Sequence, residues 1–439
     1  MIISARRSLA TVIGLGITQI IGYGTLFYSF SILAPVIGQE FNQTREWLFA
    51  AFSGTLLIGG IVSPWSGRWA DRFGAGRVMT LGSLAAALSM VFCAASTGWW
   101  MFAVALVTTG IATPFILYNT AFAVLVQVDP QLAPRRITYL TLMAGFSSTL
   151  FWPLATALLN SLTWREIFLF YAVLQMVLCF PIHFWLSRMT RRSPKVMRNA
   201  APGASDRKAE SRFSDNPMLK QKDRSSSCVR KDGRRSKPLE TGEEGALRLS
   251  DRKIALVLLS IGFSLTSFAL SSILVHFVPV LAAVGLGASA VFVGTMFGPS
   301  QFASRLINML LGGRFSAMTI AITSTLMIPL SFMMLLLPSC IPLIAGAALF
   351  AILFGMGSGL NSIVQGTLPL ALFGHQRYGE ILGKITSSRL IVSSVAPFIF
   401  ATLLEQFGPT TALLVVALVG MLGVMTFVVV ARLVKRSSE

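Results

Sequence analysis

Apolar stretches of about 20 residues or more, each long enough to cross a bilayer, alternate along this chain with short polar turns. They lie near 9–37, 47–66, 78–97, 99–126, 137–160 and 167–187, and again near 254–283, 288–311, 317–337, 341–372, 381–403 and 409–431. The pattern predicts an all-α integral membrane protein with 12 transmembrane helices. They form two six-helix halves, 1–189 and 251–439, joined by a polar segment over 190–250. The turn Gly67-Arg-Trp-Ala-Asp-Arg-Phe-Gly74, followed by Arg77, cannot sit in lipid and therefore marks a tight hairpin between the second and third spans. The first apolar run, behind the basic stretch Met1–Arg7, continues for roughly 29 residues. A signal-peptide core has about 7–15, so this run reads as a first span.

Composition agrees. Of 439 residues, 54% are hydrophobic and 12% charged, whereas a soluble domain carries about 25% charged residues. A net charge of +19 would point to nucleic acid on a soluble surface, but its distribution does not. Between Arg188 and Lys253 lie 19 of the 36 basic and 9 of the 17 acidic residues. The even span count puts both termini on one side. Arg6, Arg7, the 67–77 turn, Arg135, Arg136, the 190–250 segment, Arg314, Arg377, Lys435 and Arg436 fall on that side, which makes it the cytoplasm. The opposite loops hold little charge: Arg45 with Glu46, Arg165 with Glu166, and Glu405. The expected setting is a bacterial inner membrane, with the chain a monomer in the bilayer and no nucleic-acid partner.

The 190–250 segment is rich in Ser, Lys, Arg, Asp and Gly and carries Pro194, Pro202, Pro217 and Pro238. It reads as a disordered cytoplasmic tether, with contact to anionic lipid as its functional alternative. Cys93, Cys179, Cys228 and Cys340 show no metal or disulfide spacing, and no cofactor is expected. No G-x-x-x-x-G-K-[ST] loop supports ATP drive. The halves look duplicated: Arg305, Asn308 and Arg314 repeat the intervals of Arg68, Asp71 and Arg77. Such duplication suits a transporter with its site between the halves.

Several motifs carry a family resemblance. Gly67, Ala70, Asp71, Arg72 and Gly74 match G-x-L-A-D-R-x-G-R-K, with Trp69 in the apolar third position and Ala75-Gly76-Arg77 replacing the basic pair. Trp164-Arg165-x-x-Phe168 opens the sixth span, and Gly379-x-x-x-Gly383 with Pro397 marks the eleventh. Together they resemble the major facilitator superfamily over all but the polar segment. Tyr28-Ser-Phe-Ser-Ile-Leu-Ala-Pro35 and Gln301-x-x-x-Arg305 resemble the monocarboxylate and oxalate–formate porters. Those monocarboxylate porters have an acid where this chain has Gln301, so the group expected to take a proton is missing. The resemblance implies alternating access about a central site. It also implies a latch of Gly67, Asp71, Arg72, Gly74 and Arg77, in which Asp71 caps the eleventh helix and holds the outward-facing state.

Inside the spans the ionisable residues are Arg305, Lys384, Arg389, His183 and His276, with no Asp or Glu. A basic residue at mid-bilayer costs on the order of 2.5–3.5 kcal/mol and usually faces a cavity. Its counter-ion here is an anionic substrate or a set of backbone carbonyls. Arg389 lies about 9 residues into its helix, roughly 13 Å at 1.5 Å per residue, and a guanidinium can grip a carboxylate through two hydrogen bonds. Arg305 reads equally as a second-half copy of the Arg68 loop charge. Lys384 can snorkel. His276 is a proton carrier or a packing residue, and His183 sits near the cytoplasmic edge. Gln19, Tyr23 and Phe27, four apart, share one face of an ideal helix and are candidate lining. Tyr118, Asn119, Trp152, Gln301 and Asn361 complete the candidate substrate site, although intramembrane amides also bond neighbouring helices.

The function these features favour is secondary transport of a small organic anion, monocarboxylate-like. The alternatives are a planar heterocycle, such as a flavin-like vitamin or a drug, and a non-transporting membrane receptor. An intramembrane enzyme is disfavoured by isolated histidines without an acid.

Overall fold

The structure, a computed structural model, describes residues 2–190, 246–248, 251–287, 289–311, 314–336 and 342–438. Most of the expected tether, with its anionic-lipid reading, lies outside these residues. Its end is ordered: Leu247 is buried in a cluster with Leu368 and Leu372, and the Ala246 amide donates to the Ala371 carbonyl.

All regular structure among the described residues is helical. The first half contains α1 (Leu9–Phe41), α2 (Glu46–Phe73), α3 (Ala75–Ala94), α4 (Trp99–Val128), α5 (Ala133–Leu159) and α6 (Trp164–Met189). The second contains α7 (Arg252–Leu281), α8 (289–310), α9 (Ala317–Leu336), α10 (Leu343–Phe373), α11 (378–407) and α12 (409–438). Ten of the helices counted as continuous are long and apolar enough to cross a membrane. The last of these breaks at Gly408 (φ 77°), where Pro409 starts the next helix, so it serves as two spans. The twelfth span is α8, split into Ser289–Gly294 and Phe297–Leu310 ahead of Pro299, whose ring removes the amide that would bond residue 295. The sequence reading of six and six thus holds.

Local chemistry sets the ends and bends. Thr163 and Glu166 form a reciprocal capping box that starts α6. The adjacent Trp164 and Arg165 both bind Glu40, through the indole nitrogen at 2.6 Å and an ion pair at 2.6 Å. That motif is a bracket between α1 and α6. In α7 the backbone leaves the helical region at His276 (φ −103°), three residues before Pro279, because the proline ring crowds the carbonyl one turn back. In α1, residues Gly24–Tyr28 form a π turn, and Gln175–Cys179 of α6 form another beside it. The two are joined by Gln175 donating to Thr25 and Tyr171 to Ser29.

The core divides into four clusters. Those around Phe102, Trp164 and Tyr171 and around Phe332, Phe350 and Phe400 each stay within one half. A third, on the face carrying the 67–77 turn and the chain ends (the terminal face), crosses the halves and joins Ala70, Phe122 and Leu140 to Leu370, Tyr378 and Leu382.

Candidate substrate site

The main contacts between the halves run from α2 to α11, from 118–128 of α4 to α10 and α11, and from 133–144 of α5 to α8 and α10. The α2–α11 seam is made by glycines. A Cβ on Gly67 would collide with the Gly379 carbonyl, and one on Gly383 would lie 2.6 Å from the Ser63 carbonyl oxygen. The Asp71 carboxylate closes the seam, accepting the Gly379 amide at 3.1 Å and the Glu380 amide at 2.8 Å. Carboxylate charge at a helix N-terminus is favourable. Gly74 (φ 92°) allows the turn that follows. Arg72 and Arg77, assigned to the same latch from sequence, are exposed, with Arg72 over the Phe73 ring. Gln127, not singled out from sequence, clasps the turn instead. Its amide donates to the Ala70 carbonyl and accepts from the Ala75 amide, both at 2.9 Å.

Two polar bridges lie deeper. Asn119 of α4 donates to Ser63 at 2.6 Å and accepts from Thr386 of α11 at 2.8 Å. Arg305 of α8 is 6% exposed and donates to the Thr141 carbonyl of α5 at 2.9 Å and to the Gly359 carbonyl of α10 at 3.4 Å. A Cβ at Gly145 would strike its guanidinium. Beside it, Phe146 and Phe302 meet edge to face at 5.1 Å. Asn119 and Arg305, both expected to touch substrate, are therefore committed to ties between helices in this conformation. Arg305 resembles Arg68 in spacing but not in setting: Arg68 lies exposed on the Trp65 ring.

The remaining candidates separate by burial. Gln19 is fully buried and does not line a cavity. Its amide donates at 2.7 Å to the Ile116 carbonyl, which is freed where α4 breaks at Leu117 (ψ −166°). Thr120 satisfies another carbonyl freed at the break, that of Pro114, at 2.8 Å. The break leaves Tyr118 at the N-terminus of a second helical segment, Tyr118–Val128. Asn361 is buried, with its Oδ1 atom unpartnered among the described residues. Gln301 is half-buried and donates to Ser358 at 2.9 Å.

The π turn changes the lining of α1. Its extra residue breaks the four-residue stripe predicted from Gln19, Tyr23 and Phe27 and puts Tyr23 and Tyr28 side by side, with ring centroids 6.4 Å apart. Phe27 turns towards Phe52 at 5.4 Å. Tyr23 also meets Tyr118 at 4.7 Å, and Trp152 stands perpendicular to Tyr28 at 6.1 Å while its indole N–H donates to the Tyr28 carbonyl.

Beside these rings is Arg389 of α11, half-buried and within electrostatic reach of the Tyr23 hydroxyl. Among the described residues its guanidinium has no hydrogen bond and no ion pair. Lys384 differs, pairing with Glu380 one turn away at 2.8 Å with its side chain half exposed. His183 is buried against Ser83, and His276 rests on the Ser272 carbonyl and the Phe400 ring.

The family model of the Major Facilitator Superfamily matches residues 15–397. The chain belongs to this superfamily. This facilitator is accordingly a multi-pass membrane transporter and not an enzyme. It is similar to the crystal structure of the human organic anion transporter MFSD10 (TETRAN), with a TM-score of 0.65 at 14% identity over 96% of this chain and 99% of that one. It is also similar to the proton:xylose symporter XylE bound to 6-bromo-6-deoxy-D-glucose, at 0.63 and 13% over 95% and 94%. No curated protein sequence matches the facilitator significantly. Both likenesses carry its two-half fold. Two of its features gave no signal to sequence reasoning: Tyr28 as lining, because a π turn has no local code, and Gln127, because its partners are backbone groups far along the chain.

Proposed function

We propose that this protein is a secondary transporter that moves a small organic anion across the cytoplasmic membrane by alternating access, with Arg389 as the anion-binding group. The termini lie in the cytoplasm. In this reading the α2–α11 seam closes that side, and the passenger reaches Arg389 from the other side. In this state Asp71 serves as the latch, and it releases when the cytoplasmic face opens.

One observation carries this function: Arg389 is a half-buried guanidinium within a membrane span and has no partner among the described residues. An unpaired cation in a low-dielectric setting costs several kcal/mol, and an anionic passenger would offset that cost. The helix N-terminus at Tyr118 adds partial positive charge on the facing helix. The resemblance to monocarboxylate and oxalate–formate porters supports the same passenger, and Gln301, in place of an acid, leaves that position without a proton carrier. Counterflow in proteoliposomes is the test. A labelled monocarboxylate should accumulate against its own unlabelled pool, while its neutral amide does not. Equal movement of acid and amide would refute the anion site.

A further inference from the structure

We propose that the passenger is a planar aromatic or heteroaromatic acid bearing one negative charge; this rests on Arg389 being the anion site. The single charge follows from what the other intramembrane cations do. Lys384 is neutralised by Glu380, and both Arg305 contacts go to peptide carbonyls. Among the described residues of the spans, Arg389 is the cation with neither an ion pair nor a hydrogen bond, so its donors are the ones open to a carboxylate. A second carboxylate on the passenger would find no second guanidinium with its donors open, because those of Arg305 are held by peptide carbonyls, and a buried charge without hydrogen bonds is unfavourable.

The aromatic part follows from the rings beside that charge. Tyr23, Tyr28, Tyr118 and Trp152 form a chain of contacts with centroids 4.7–6.4 Å apart, and none of the four is fully buried. Their mutual angles of 41°, 56° and 90° leave ring surface unstacked. Each ring is held from behind. Tyr118 stacks on Phe122 at 5.0 Å and 12°, Trp152 is pinned by its N–H to the Tyr28 carbonyl, and the π turn holds Tyr23 and Tyr28 on one face. Rigid rings lose little entropy on binding. They offer offset or edge contacts that a planar π system can return and a saturated ring cannot. Charge at one end and flat rings beside it match an aromatic acid better than a short aliphatic one.

The test is calorimetry and thermal shift on the purified full-length protein. The probes are 2-naphthoate, its fully hydrogenated analogue, hexanoate and naphthalene-2,6-dicarboxylate, each also measured on Arg389→Gln. The proposal expects 2-naphthoate to bind about tenfold tighter than the hydrogenated acid and the dicarboxylate to bind more weakly than the monoacid. It further expects Tyr118→Leu to remove the aromatic preference and Tyr118→Phe to keep it. The wild-type ligand series decides the matter even where a variant does not fold. Equal or tighter binding of saturated acids, lost in Arg389→Gln, would overturn the aromatic inference and leave the anion site standing. A dicarboxylate that binds tightest would overturn the single charge. Binding of every acid unchanged in Arg389→Gln would overturn the anion site itself.

Discussion

Asp71 and Gly379 are 308 residues apart in sequence, yet a carboxylate oxygen of Asp71 accepts the Gly379 amide at 3.1 Å, and the second oxygen takes the next amide, that of Glu380. This contact joins the two halves at the first turn of α11. It requires the Gly67–Gly379 crossing beneath it, where neither backbone leaves room for a side chain.

Removing the charge while keeping the shape should loosen that face. Asp71→Asn loses the interaction of a carboxylate with a helix N-terminus, worth about 1 kcal/mol, or roughly a fivefold shift in population. The measurement is the rate at which a cysteine placed at Ser63 reacts with a thiol reagent added from the terminal side. Several-fold faster reaction is expected in the Asp71→Asn background. An unchanged rate would mean that Asp71 does not hold the seam shut.

The seam itself is tested by size. A side chain at Gly383 would press on the Ser63 carbonyl, whereas one at Gly54 meets nothing within 4 Å. Gly383→Val should therefore cost about 1–3 kcal/mol of closed-state stability and slow transport at normal membrane levels. Gly54→Ala should be silent. Similar transport rates in the two variants would contradict the close crossing of α2 and α11.

Arg305 and Lys384 make opposite predictions. Arg305→Gln loses charge-assisted bonds to two buried carbonyls, each worth about 1.5–3 kcal/mol, so the melting temperature falls while ligand affinity at Arg389 stays within about twofold, an increment of roughly 0.4 kcal/mol. Lys384→Ala removes only a half-exposed ion pair with Glu380, worth about 0–1 kcal/mol, and most transport survives. A tenfold loss of affinity in Arg305→Gln with unchanged melting would make Arg305 a ligand for the passenger.

Much of this was legible in the chain. Continuous apolar runs and charged turns of one parity specify six plus six helices, because lipid leaves a polar turn no alternative location. The Asp71 contact was legible through the family resemblance of its turn, which implied that this acid caps the eleventh helix. The reading weakened wherever backbone carbonyls served as partners. Gln19 looked like cavity lining and instead satisfies Ile116 at the α4 break. For Arg305 the sequence left a passenger and backbone carbonyls equally open, and it binds the carbonyls of Thr141 and Gly359. Tyr28 was hidden by the π turn, which shifts every later residue of α1 around the helix axis. Such acceptors leave no mark in a sequence because every residue supplies one.

The most direct measurement is uptake of a labelled organic anion by proteoliposomes holding equal amounts of folded wild-type or Arg389→Gln protein. The Arg389 anion site predicts uptake at the level of empty liposomes in the variant, with partial recovery in Arg389→Lys, which keeps the charge but not the fork. Uptake in Arg389→Gln equal to that of the wild type would contradict it.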